Sequence, residues 1–124
     1  MKKIILFIFT LFIISNISYA NKNKYNRLLF KGVLRGNIKQ IKWALRKGAS
    51  INAKNYRKAT PLHYAAKKGR YKILKYLIKK GADLSLATKS GMTALHFAAM
   101  HGLTTTIGLL LKKGANVNLQ DNRG

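Results

Sequence analysis

The chain has 124 residues and contains no cysteine, no glutamate, two aspartates and a single proline. Without cysteine there is no disulfide framework and no thiolate metal site. One proline excludes a Pro-rich linker or a Pro/Ser-rich tail. Acid–base catalysis by carboxylates needs a pair tuned apart, and Asp83 and Asp121 are the only carboxylate side chains. Both fall in turn-like segments and are expected to cap turns. No glycine-rich phosphate loop occurs, because the glycines recur at fixed spacing instead. Ser50 and Ser85 have no histidine at a local motif spacing. No catalytic constellation emerges, so no enzyme, cofactor, metal or small-molecule substrate is expected.

What the chain has is positive charge. Lysine and arginine number 25, for a formal net charge of +23. Hydrophobic residues make up 48%, too many for a chain disordered by charge alone. The length suits one small domain.

The first twenty residues differ in kind. Met1-Lys2-Lys3 is a short basic start, and Ile4 to Ile14 is apolar apart from Thr10. Ser18-Tyr19-Ala20 then offers the small-x-small pattern that a signal peptidase accepts. A secretory signal over 1–20, cleaved between Ala20 and Asn21, is expected. The alternative is an uncleaved anchor, since the uncharged run from Ile4 to Ala20 is at the lower limit for a spanning helix. Removing Lys2 and Lys3 leaves a mature charge of +21.

Behind this segment the sequence repeats. Gly48-Ala49, Gly81-Ala82 and Gly114-Ala115 recur at one constant spacing, and Gly36, Gly69 and Gly102 recur at the same spacing. Thr60-Pro61-Leu62-His63-Tyr64-Ala65-Ala66 returns one period later as Thr93-Ala94-Leu95-His96-Phe97-Ala98-Ala99. Thr60 suits a helix N-cap and Pro61 the first helical position. Leu62, Ala65 and Ala66 should form a buried stripe, and Gly69 should end the helix in a left-handed cap. A second helix over 71–79 should bury Ile73, Leu74, Leu77 and Ile78. Repeat three should bury Leu95, Ala98, Ala99, Ile107, Leu110 and Leu111.

This pattern resembles the ankyrin repeat, whose signature is T-P-L-H-x-A returning with a period of about 33 residues. The resemblance covers residues 24 to 124 and implies an all-α solenoid of three repeats. Each repeat would hold paired antiparallel helices and an extended finger. The expected organisation is a signal peptide at 1–20, a short tail at 21–23, and repeats at 24–56, 57–89 and 90–122. Residues 123–124 would start an incomplete unit or form the terminus. Repeat one is degenerate, with Arg27-Leu28-Leu29-Phe30 in place of Thr-Pro-Leu-His and Gly32-Val33 in place of the alanine pair. Lys31, Arg35, Lys39 and Lys42 fit a polar capping face there. No cap follows repeat three, so its far face is expected to be uncovered. That face implies a fragment, a partner or end-to-end dimerisation, and marginal stability that an added cap would raise.

The resemblance also implies roles. His63 and His96 should hydrogen-bond backbone across adjacent repeats. As metal ligands they are poorly placed, because packed helices lie roughly 8–10 Å apart and zinc needs nitrogens at about 2 Å. His101 is expected at a helix-end surface. Trp43, Tyr76 and Leu109 share one register, either as packing between repeats or as a binding stripe. Partner contacts are implied at the finger tips Tyr56, Arg57 and Ala59, then Lys89, Ser90 and Met92. Further contacts are implied on the inner helix row at Lys67 and Lys68, then Met100 and His101. Lys58 replaces the glycine that Gly91 supplies in the next finger, so the first finger's turn is expected to differ.

The expected function is therefore a non-catalytic protein-binding module, similar to exported bacterial ankyrin proteins, with an acidic partner. The alternative is a basic protein held on anionic envelope polymers or lipid by charge. Lysine at positions 72, 75 and 79 has two readings, functional charge or compositional drift on a solvated face. Nucleic acid would be bound without specificity.

Overall fold

The computed structural model describes residues 1–118 and 120–124. Leu119 lies outside the described residues. Six helices follow one another: α1 Lys2–Arg35, α2 Ile38–Arg46, α3 Pro61–Lys67, α4 Tyr71–Lys79, α5 Ala94–Met100 and α6 Thr104–Lys112. There is no strand among the described residues. The helices form three successive pairs. In the first row α3 packs between α1 and α5, and in the second α4 packs on α6. The result is the expected three-repeat all-α solenoid.

The core is the run of small and aliphatic residues that the period places between the rows. Leu29 and Val33 of α1 meet Ile41 and Ala44 of α2, and Leu62, Ala65 and Ala66 of α3 meet Ile73, Leu74 and Leu77 of α4. Fully burying one such leucine contributes about 2–3 kcal/mol. Repeat one needs Gly32 for close packing. A Cβ there would lie 2.9 Å from the Ile41 side chain, so the glycine lets α1 and α2 close together. Gly69 ends α3 as expected, at φ 61°, with the Arg70 N–H returning to the Ala65 carbonyl at 2.9 Å.

Four expected core positions differ in repeat three. Leu95 and Ile107 are half-buried, and Ala99 and Leu111 are exposed. They lie on the side of the third pair that faces away from the second, where they border a groove of about 260 Å³ with Val117. Ile78 in repeat two is likewise half-buried. Exposure along the register of Trp43, Tyr76 and Leu109 falls from 40% at Trp43 to 8% at Leu109. Trp43 packs edge-on against Tyr25 inside its own repeat, with centroids 5.5 Å apart.

The expected boundary at 21–23 is not a break in the backbone. α1 runs through Ala20 and Asn21, both exposed, and joins the apolar segment to repeat one as one 34-residue helix. None of its most apolar stretch is buried, and by length and composition it is sufficient to cross a membrane.

The first finger keeps the turn despite Lys58, contrary to expectation. Lys58 has φ 58°, close to the 78° of Gly91. Its N–H reaches the Asn55 carbonyl at 2.9 Å, and Gly91 reaches Thr88 at the same distance. Asn55 compensates: its Oδ1 accepts from the Arg57 and Ala59 N–H groups at 2.9 and 3.0 Å. The lysine still carries the steric cost of a left-handed backbone, about 1–2 kcal/mol. Lys58→Gly is therefore expected to stabilise the chain by about 1 kcal/mol in urea unfolding. An unchanged midpoint would show that Asn55 relieves the strain completely.

Candidate partner-binding groove

The fingers are tied to one another by a backbone ladder that copies the repeat. The Lys89 N–H donates to the Arg57 carbonyl at 3.0 Å, and one repeat later the Asn122 N–H donates to the Ser90 carbonyl at 3.0 Å. The Asn122 side chain adds a bond to the Lys89 carbonyl at 2.9 Å. Fingers one and two are thereby held side by side over the ends of α3 and α5.

Between them and α3 lies a groove of about 330 Å³. Arg57, Lys67 and Lys89 stand around it, and Tyr64 and Phe97 supply aromatic surface. Both rings are fixed. The Tyr64 hydroxyl accepts from Asn55 Nδ2 at 2.9 Å, and its ring meets Phe30 edge-on at 5.8 Å. Phe97 meets His63 edge-on at the same separation. Phe30 stands at the histidine register of repeat one, so it keeps the ring contact and gives up the histidine's hydrogen bonds.

His63 sits beneath the groove, 3% exposed. Its Nδ1 accepts from the Thr60 N–H at 2.9 Å, which places the ring proton on Nε2, where it donates to the Met92 carbonyl at 3.0 Å. The cross-repeat bond implied by the resemblance is thus present at His63. His96 repeats the local half, accepting from the Thr93 N–H at 3.0 Å. Burial holds His63 below its ordinary pKa of 6.5, against smaller opposing contributions from the Leu86 and Met92 carbonyls. His101 is exposed at the end of α5, with Nδ1 2.9 Å from the Phe97 carbonyl.

Of the ten implied contact residues, the structure gathers Arg57, Ala59, Lys67, Lys89, Ser90 and Met92 around this groove. Ala59 and Met92 are buried, at 7% and 8% exposure, so they form its wall and not free finger tips. The turn draws them inward, because the Ala59 and Met92 carbonyls accept from the Asn55 and Thr88 N–H groups that close each finger. Tyr56, Lys68, Met100 and His101 are exposed and outside the groove. Tyr56 instead lies under the Arg57 guanidinium, 5.3 Å from ring to cation. Tyr64, Phe97, Thr88 and His63 line the groove without having been assigned to it. Their signal was available, since Tyr64 and Phe97 recur one period apart, each beside its repeat's histidine.

Both carboxylates are spent on turns. Asp83 Oδ1 accepts from the Ser85 N–H and hydroxyl at 2.8 and 2.6 Å, and those bonds hold its pKa below the ordinary value. Asp121 accepts from the Arg123 guanidinium and backbone, which lowers its pKa in the same direction. Neither acid lines the groove. Among the described residues no group of three or more His, Asp or Glu is placed to hold a metal.

A family model described as ankyrin repeats, in three copies, matches residues 15–121. The chain belongs to the ankyrin-repeat family. Ankyrin repeats are generally protein–protein interaction modules, and the family is typically non-catalytic. The match spans all three ankyrin helix pairs, including the degenerate first one. A comparison with curated proteins gives no match.

Proposed function

We propose that this ankyrin stack is a non-catalytic module that acts outside the cytoplasm and grips an acidic segment of a protein partner. The observation that carries this reading is the groove, where three cations surround two fixed aromatic rings and no carboxylate intrudes. Tyrosine and arginine are enriched at protein interfaces, and aromatic surface gives affinity that charge alone does not. The cations select the sign of the partner and speed encounter. An extended segment with an acidic residue beside an apolar one complements both features.

Export rests on the N-terminal segment. Its apolar stretch is uninvolved in the core, so its loss leaves every buried contact in place. The protein recovered from outside the cytoplasm is expected to begin at Asn21 on N-terminal sequencing. Recovery with Met1 retained would replace the signal peptide with an anchor.

Capture from the envelope fraction tests the groove. A partner held by a packed interface is expected to survive a high-salt wash, because buried contacts are screened little. It is also expected to be lost from a Lys67→Glu, Lys89→Glu variant. Complete release by salt, or equal retention by the variant, would overturn the reading.

A further inference from the structure

The second row of helices carries a charge pattern that the groove does not use. Lys39, Lys42 and Arg46 follow one exposed stripe of α2, and Lys72, Lys75 and Lys79 follow the same stripe of α4, one repeat later. Neither helix contains an acid. Like charges three and four residues apart repel, and exposed helices ordinarily offset this with opposite charges at that spacing. Here the two stripes are also neighbours: the Lys42 ammonium lies over the Tyr76 ring at 5.5 Å, and Lys80 lies over the same ring at 5.7 Å. A field of one sign covers the outer face of two repeats.

Two large aromatics stand exposed within that field, Trp43 at 40% and Tyr71 at 37%. Lysine beside exposed tryptophan and tyrosine suits the headgroup layer of a bilayer, where an amphipathic ring is half wet and cations meet lipid phosphates. A double-stranded nucleic acid would meet the cations but offers no interfacial layer for Trp43 and Tyr71.

We infer that the outer face of α2 and α4 docks on an anionic phospholipid surface, separately from the protein-binding groove. Each cation near such a surface strengthens binding about fivefold, so the six residues of the two stripes dominate over the two aromatics. The interaction falls away beyond a Debye length and weakens with salt. It leaves the fingers free, because groove and outer face lie on different helix rows.

Trp43 is the single tryptophan and sits in the proposed face, so its fluorescence reports docking directly. The chain from Asn21, which keeps every buried contact, is mixed with vesicles of phosphatidylcholine alone or with phosphatidylglycerol, each with bromine-labelled acyl chains. The two vesicles differ only in headgroup charge, so the difference isolates the cations of the outer face. Trp43 quenching is expected to be at least about twofold stronger in the anionic vesicles and to fall to the neutral level in high salt. Glutamine at all six stripe positions, Lys39, Lys42, Arg46, Lys72, Lys75 and Lys79, is expected to abolish the difference, and arginine at the five lysines to retain it. Lys67→Glu with Lys89→Glu is expected to leave it unchanged, which separates this face from the groove. Equal quenching in both lipids would overturn the inference. So would a difference that ignores salt and the glutamine replacements, or a stronger Trp43 response to duplex DNA than to anionic vesicles.

Discussion

Replacing His63 with alanine is expected to cost about 2–3 kcal/mol of stability, a large share of what three repeats hold, because a buried donor left unsatisfied costs about 1–3 kcal/mol. The imidazole spans two repeats. It accepts from the Thr60 N–H at the start of α3 and donates to the Met92 carbonyl of the next finger. Alanine leaves the Thr60 N–H without a partner, while the Met92 carbonyl keeps only its bond from the Thr88 N–H. A cavity adds to this, less whatever water recovers. The same residue sets a pH dependence. Its folded pKa is depressed by burial, so as pH falls below 6.5 the unfolded chain takes up a proton that the folded chain refuses. This contribution is flat above that value, and stability declines from there down toward the folded pKa. Urea unfolding of the chain from Asn21 checks both points. The alanine variant should be weaker at neutral pH and should lose less on acidification. A loss under about 1 kcal/mol would mean that the bridge is not what joins repeats two and three.

Reversing two groove charges is expected to be nearly silent for folding and severe for binding. Lys67 and Lys89 are exposed, and such changes usually move stability by about 0.5 kcal/mol or less. At the groove each reversal replaces an attraction with a repulsion. At about 1 kcal/mol each, the pair removes about 2 kcal/mol, or roughly thirtyfold in affinity. Lys68→Glu is the internal control. It changes the charge in the same direction one residue further along, outside the groove, and should weaken binding by no more than about threefold. Titration of the captured partner against the three proteins separates the outcomes. If Lys68→Glu does as much damage as the groove pair, net charge governs binding and the groove does not.

The repeat was legible because three independent registers agreed on a single period. α4 falls on the expected 71–79, since the aliphatic spacing and the flanking glycines leave little freedom. The groove was half legible. Register brings Arg57, Lys67, Lys89 and Ser90 to the same groove, but it does not say which side of a finger turn faces inward. Ala59 and Met92 are drawn into the wall by hydrogen bonds between residues four apart, which a repeat alignment cannot weigh. Tyr64 and Phe97 were seen as repeat letters and not as surface, because the alternation of buried and half-buried positions on so short a helix is brief. Lys58 shows the opposite failure. The missing glycine is plain in the sequence, while the Asn55 side chain that stabilises the turn around it acts through geometry. In repeat three the periodicity expects Ala99 and Leu111 inside, because period alone carries no information about which face has a neighbour.

Site-specific photocrosslinking tests the central claim most directly. A photoreactive residue is placed at Lys89, on the rim of the groove, or at Lys75, on the outer helix face, and the captured partner is irradiated on each. The groove reading predicts a covalent adduct with the protein partner from position 89 and none from position 75. An adduct from position 75 alone would contradict it, and would move protein recognition to the face assigned here to lipid.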